Sequence, residues 1–267
     1  MCHSKISTLH VSVYTWFLMT TNTDNELSVE AILETLGAAQ AGEEPVEGLR
    51  DRKKRRLRQR ISNVATALFM VEGFDAVSVA RIAAACEVSE QTVFNYFPTK
   101  ESMFFDRTDS SADALAEAVR HPEDGPLGEA LLKALFGGVE MLRWEGIEEA
   151  QALRLFRRFC EVAISSAALR AAPYAELEGF TATVGASLAE RIGADPGDPE
   201  VELTAIVVAG LARESTQATF RHVRHASSFA ALERSVRADV ARALRIATPT
   251  LDAFDNLGIR PRQLDRR

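Results

Sequence analysis

The stretch Ser78–Lys100, SVARIAAACEVSEQTVFNYFPTK, reads as two short helices joined by a tight three-residue turn, Glu87-Val88-Ser89. Ser78 and Ser89 stand where a side-chain oxygen can cap each helix start, and Thr99 can cap the next one after Pro98. Ala83, Val88, Val93 and Phe97 are apolar at positions that lock the two helices together, with Ala83 small at the crossing. This is the layout of a helix-turn-helix. The second helix is too short to stand alone and needs the first as its support. Val93 and Phe97 share one face of it, at i and i+4. Gln91, Thr92, Asn95 and Tyr96 lie on the other, where they can hydrogen-bond base edges or phosphates. The Thr92 methyl is a candidate contact for a thymine methyl. Lys100 places a cation at a helix start, against the dipole, which a nearby phosphate would explain.

Upstream, the apolar positions 57, 61, 64, 65, 68 and 71 recur with helical spacing, predicting a helix over Leu57–Val71 that stops at Gly73. Before it, Arg50–Arg60 (RDRKKRRLRQR) carries eight cations in eleven positions. Such runs are usually solvated helix faces. Beside a helix-turn-helix, this one, with Arg55 and Arg56 at its centre, reads as a phosphate-binding arm whose contacts would be salt-dependent. Residues 50–107 hold eleven basic and seven acidic residues, so a +4 module sits on a remainder of −11 in a chain of net charge −7. A basic module on an acidic body is the pattern to explain.

Leu57–Asp106 resembles the DNA-binding domain of the tetracycline repressor (TetR) family. The likeness is carried by ALFMVEGFDAVSVARIA (Ala67–Ala83) and VSEQTVFNYFPTKESMF (Val88–Phe104). The resemblance implies three N-terminal helices that read DNA, and a divergent helical C-terminal domain that binds a small-molecule effector and forms a homodimer. It implies a repressor released from a palindromic operator, a double-stranded DNA, by that effector. By position, Ser78 and Arg81 would meet the DNA backbone, Ser89 would present a helix start to it, and Tyr96 and Lys100 would hold phosphates. Gln91, Thr92, Asn95 and Phe94 would line the major groove. The family usually has Gly where this chain has Glu87; a left-handed Glu costs about 1 kcal/mol relative to Gly.

The rest of the 267 residues reads as helices too. The expected class is all-α: a three-helix helix-turn-helix domain at 49–98 and a helical effector and dimerisation bundle at 99–247. Residues 1–48 are expected as a flexible extension and 248–267 as a tail. Expected helices are Thr99–Arg120, Leu127–Arg143, Ile147–Leu169, Tyr174–Ile192, Glu200–His225 and Ser228–Ile246, with Pro173 as a breaker. Within the extension, Ser28–Ala39 has the makings of a short helix. Leu9–Met19 is apolar but too short to span a bilayer, and reads as a leader, with Met19 as an alternative start. The last two helices are expected to form the dimer interface, since Thr204–Ala212 is apolar nearly all round and Ala205, Ala209 and Gly210 permit close approach.

An effector cavity is expected between the middle helices, lined by Met141, Trp144, Phe156, Phe159, Cys160, Val162, Tyr174 and Phe180. For any single one of these, plain core packing is the commoner role. Arg213, His222 and His225 are candidate anchors for an anionic ligand. His222 and His225 also have metal-ligand spacing, but no carboxylate or Cys partner is evident. No cofactor, metal or membrane is expected. Three scattered Cys without a CxxC pair suit a reducing cytoplasm. No nucleophile elbow, zinc-protease, P-loop or dinucleotide motif has its proper context, so an enzyme is not expected. A DNA-binding dimer without an effector is the alternative reading.

Overall fold

Helix-forming periodicity runs through nearly the whole chain, and the computed structural model, which describes residues 28–38, 48–106, 110–121, 125–140, 148–175 and 177–259, contains helices and no strand among them. The helices are α1 (Val29–Ala38), α2 (Leu49–Glu72), α3 (Val79–Ala85), α4 (Glu90–Tyr96), α5 (Lys100–Phe105), α6 (Ser110–Arg120), α7 (Leu127–Glu140), α8 (Glu149–Ser165), α9 (Ala167–Ala175), α10 (Leu177–Ile192), α11 (Pro199–His222) and α12 (Phe229–Ile259). The readings made for residues 1–27 and for Met141 and Trp144 lie outside the described residues.

Several boundaries differ from the expected ones. Helix α2 begins at Leu49, eight residues before the apolar periodicity. Arg and Lys are strong helix formers, and Asp51 suits the first turn. The single helix expected over Thr99–Arg120 is two, α5 and α6. Pro173 lies inside α9, and the break falls at Ser166, whose backbone is extended at φ −87° and ψ 129°. There the Ser166 hydroxyl donates to Asp75 Oδ1 at 2.8 Å and accepts from the Leu169 N–H, so tertiary bonding locates the break.

Residues 248–259, expected as tail, continue α12 through Pro249. Leu251 and Phe254 are buried there in the body core. That burial offsets the roughly 3 kcal/mol a mid-helix proline costs. The extension is likewise no free arm at Val29–Ala38: Ile32 and Leu36 pack on Ala67 and Met70 of α2 and on Leu155 of α8. Gln151 Nε2 donates to Thr35 Oγ1 at 3.3 Å.

Helices α2–α5 enclose a core of Ile61, Leu68, Phe69, Phe74, Ile82, Val93, Phe97 and Phe104, continued by Val162, Ala163 and Leu169 of α8 and α9. Phe104 stacks on Phe159 of α8, with centroids 4.2 Å apart. Arg158 Nε donates to the Met70 carbonyl near the end of α2 at 2.7 Å. Helix α8 thus grips the N-terminal unit by an aromatic stack, a cation on a helix C-terminus and, through Ser166, a hydroxyl. In the body, α6, α7, α10, α11 and α12 share a second core around Leu131, Val184, Leu188 and Val208.

One buried cation ties that core together. Arg191 of α10 donates from Nε to Asp255 Oδ1 at 2.8 Å, and to the carbonyls of His121 at 3.1 Å and Gly125 at 2.7 Å. Asp255 Oδ2 accepts the Leu127 N–H at 2.7 Å. The pair therefore satisfies the end of α6, the start of α7 and the far end of α12 together. Removing one partner of a buried pair strands the other. We expect Arg191→Met to lower the stability of the folded chain by about 3 kcal/mol in urea unfolding.

Candidate nucleic-acid interface

The turn between α3 and α4 closes as the spacing predicts. Ser78 Oγ accepts the Arg81 N–H and Ser89 Oγ accepts the Thr92 N–H, each at 3.1 Å. Thr99 and Ser102 form a reciprocal capping box at the start of α5. The Val88 N–H reaches the Ala83 carbonyl at 3.0 Å. Glu87 sits between them at φ 55°, the only non-glycine with positive φ among the described residues. Its carboxylate lies 4.0 Å from Arg60, both groups being largely exposed, so that pair offsets little of the strain.

Helix α4 turns Val93 and Phe97 fully inward and leaves Gln91, Phe94 and Asn95 exposed, with Thr92 and Tyr96 half-buried. Gln91 Nε2 donates to Asn95 Oδ1 at 3.2 Å, so the two amides form one ordered unit. Thr92 Oγ1 is engaged with Ser89 Oγ at 2.8 Å. Arg81 pairs with Glu72 at 3.1 Å. Arg55 and Arg56 lie on the exposed side of α2, near the other cations of the run.

Two cations have roles that spacing did not show. Lys100 Nζ donates to the carbonyls of Phe74 at 2.9 Å and Val77 at 3.0 Å, and lies 4.2 Å from the centre of the Phe74 ring. A cation at this helix start is thus accounted for inside the chain: it satisfies the carbonyls of the α2–α3 connection, without any phosphate. Arg58, one of the eight cations of the run, points inward. It donates to the Tyr96 carbonyl at 2.7 Å, pairs with Asp106, and covers the Phe97 ring at 4.4 Å. It therefore holds the C-terminal end of α4, whose carbonyls would otherwise lack partners. The only sequence signal for it is its register: Arg58 is one of the run's positions nearest the apolar stripe of α2.

Of the effector candidates, Phe156, Phe159 and Cys160 share one core with Phe229, where Phe156 packs on Phe229 and Phe159 also stacks on Phe104, whereas Phe180 belongs to the body core. Tyr174 is exposed, with Arg213 over its ring at 4.6 Å. Cys160 and Val162 are buried; burial, then Glu161, pushes the Cys160 thiol up to about 12. Burial also raises Cys86, so neither thiol is an activated nucleophile. His222 is 2.9 Å from Asp239 Oδ2, a carboxylate partner that the sequence order hid. Asp239 is 8% exposed and also accepts from Arg221 at 2.8 Å and from Arg242. The hydrogen bond from Arg221, then those from His222 and Arg242, hold its carboxyl far below the usual carboxylate range. The cluster ties α11 to α12. His225 is exposed outside it.

A carboxyl with depressed folded-state pKa stabilises the fold fully above the ordinary carboxylate value of about 3.9, and loses that contribution as pH falls through the folded value. We expect the urea-unfolding gap between wild type and Asp239→Asn to be full and level above about pH 5 and to narrow below about pH 4. Glu87→Gly relieves a left-handed side chain, and we expect it to raise stability by about 1 kcal/mol in thermal unfolding.

Residues 61–106 match the family model for bacterial regulatory proteins of the tetR family, and residues 126–245 match the MftR C-terminal domain. Over 114 residues the chain is 32% identical to the HTH-type transcriptional regulator TcmR of Streptomyces glaucescens, which covers 41% of this chain and 50% of TcmR. The chain thus matches about half the length of that relative. Among solved structures, it is similar to a tetR-family regulator from Streptomyces coelicolor at TM-score 0.41 and 21% identity, over 76% of this chain and 90% of that one. A second, from Mesorhizobium loti, gives TM-score 0.41 and 22% identity, over 75% and 98%. With one family model spanning the helix-turn-helix and the other spanning the body, the chain belongs to the tetR family of bacterial regulatory proteins, which are DNA-binding transcriptional regulators.

Proposed function

We propose that this chain is a cytoplasmic homodimeric repressor that binds a palindromic operator and is released from it by a small-molecule effector. The observation that carries the DNA reading is the two-sided α4: Val93 and Phe97 are sealed in the core while Gln91, Phe94 and Asn95 stand open. In this reading Gln91, Thr92 and Asn95 enter the major groove. Ser78, Arg81, Ser89, Tyr96, Arg55 and Arg56 meet the backbone, and Lys100 offers a phosphate the one N–H its two carbonyls leave over. The functional division is a reading domain over 49–98, whose core also takes in Met103 and Phe104 of α5, and an effector and assembly domain over 99–247, which the buried end of α12 extends to 259.

The dimer reading is supported by the outer faces of α11 and α12. Leu203, Ile206 and Ile246 are 56%, 58% and 84% exposed, on the helices opposite their buried stripes. Gly210 is exposed beside Ile206, with nothing within 4 Å of an added Cβ. Two such faces meeting around a two-fold axis would remove these side chains from water and set two copies of α4 about one DNA turn, ~34 Å, apart. An effector would act by binding two dimer conformers unequally, and α8, which grips the N-terminal unit, is the route by which that difference reaches α4.

The second reading, a DNA-binding dimer without an effector, is favoured by one observation: Phe156, Phe159 and Cys160 pack into one core and Phe180 into another. A small molecule that lowers operator affinity would decide for the first reading.

Selection of bound duplexes from a random pool with the full chain should enrich a palindrome, whose affinity falls steeply with salt. The wild type should scatter light as a dimer at micromolar concentration, and Ile206→Glu should shift it to monomer and weaken operator binding at least tenfold. A monomeric wild type, or no duplex bound in dilute buffer, overturns the reading.

A further inference from the structure

Helix α1 is ten residues long, too short to stand alone in water, and its two faces are unlike. Ile32 and Leu36 are buried against Ala67 and Met70 of α2 and Leu155 of α8, and Val29 and Leu33 pack beside them. Ser28 Oγ caps its start by accepting the Ala31 N–H at 3.1 Å, and the Gln151 bond to Thr35 ties it to α8. On its outer side Glu30 and Glu34 are exposed. They share a face with Leu33, at i, i+3 and i+4. Leu33 lines one cleft with Arg56, Gln59 and Arg60 of α2 and Ala85 of α3. Docking therefore sets two carboxylates at the edge of the cleft that Arg56 and Arg60, two cations of the basic run, also line. Resting on the proposed reading of that run as a phosphate-binding arm, we propose that α1 is an autoinhibitory strap: its docked carboxylates compete with DNA phosphates for the arm and lower the affinity of the chain for duplex DNA.

One cleft and one helical step separate the carboxylates from the arm. That is on the order of the ~10 Å over which exposed charges still interact at about 0.1 M salt. At such a range each carboxylate offsets part of the field that draws phosphates to the arm, and two act together. The seat is what gives them that effect, because Ile32 and Leu36 in the groove between α2 and α8 fix where Glu30 and Glu34 stand. The face that bears the carboxylates carries no share of that packing, so substitution separates the charge from the docking.

The test measures affinity of the full chain for the selected operator by fluorescence anisotropy across a salt series. Glu30→Gln/Glu34→Gln should bind about threefold more tightly than wild type at low salt, with the gain vanishing as salt rises. Glu30→Lys/Glu34→Lys should gain more. Ile32→Ser/Leu36→Ser, which unseats α1, should also bind more tightly, and in that background the two Gln replacements should add less than half as much. Thermal unfolding of the Gln pair should match wild type. That pair lies on the exposed face and decides even where unseating α1 costs the fold its stability. Equal affinity of wild type and the Gln pair at low salt, or a gain of the same size with α1 seated and unseated, overturns the inference while leaving operator binding in place. Arg56→Ala/Arg60→Ala should weaken binding and lower the salt slope; unchanged affinity there overturns the arm on which the strap rests. A wild type that binds no duplex overturns the proposed function and this inference with it.

Discussion

A seven-residue helix has no stability of its own in water, where isolated helices shorter than about 12–15 residues are marginal. The side chains proposed to read base edges sit on such a helix, so its position must come from contacts rather than propensity. Val93 and Phe97 sink into the core from below, Ser89 caps the start, and Arg58 holds the Tyr96 carbonyl at the end while its guanidinium covers the Phe97 ring. The open face can then consist of polar side chains and one phenyl ring because it carries no share of the packing. The basic run on α2 accordingly does two things. Most of its cations face solvent, and one turns inward to fix the helix that the others flank.

Between the reading unit and the body, the contacts on α8 are few and directional. The Phe104–Phe159 stack, the Arg158–Met70 carbonyl bond and the Ser166–Asp75 bond lie along a single helix and its break. Helix α1 adds a bracket from the other side, its Ile32 and Leu36 touching both α2 and α8. A rotation of α8 would therefore be felt at once by α2 and by the core beneath α4. The body is held by polar locks of another kind: the Arg191–Asp255 pair, and the Asp239 cluster at the α11–α12 junction.

How much of this was legible in the sequence depends on the distance over which the residues act. Ser78, Ser89 and Thr99 were readable as caps because a cap works within three residues. The Val93–Phe97 seam was readable because one helical turn sets it, and the family likeness rests on the same short-range spacing. Glu87 was readable as strained through the family resemblance, which has Gly at that place in the turn. The carbonyl partners of Lys100 and Arg58 were not readable because they lie 26 and 38 residues away, and charge type does not tell whether a cation also meets a carbonyl. The effector candidates pose the same difficulty: aromatic residues at helical spacing look alike whether they line a cavity or pack a core.

The sequence by itself determined that the chain is helical, that it carries a helix-turn-helix with a basic flank, and which residues α4 holds outward. All of these follow from periodicity and capping within a few residues. Only the tertiary structure decided that α12 runs through Pro249 to Ile259, that α1 docks on α2 and α8, and that Asp239 sits among two arginines and a histidine. Those outcomes depend on burial and on charges brought together from distant positions, and the free energy of such contacts is not written in any local window of the chain.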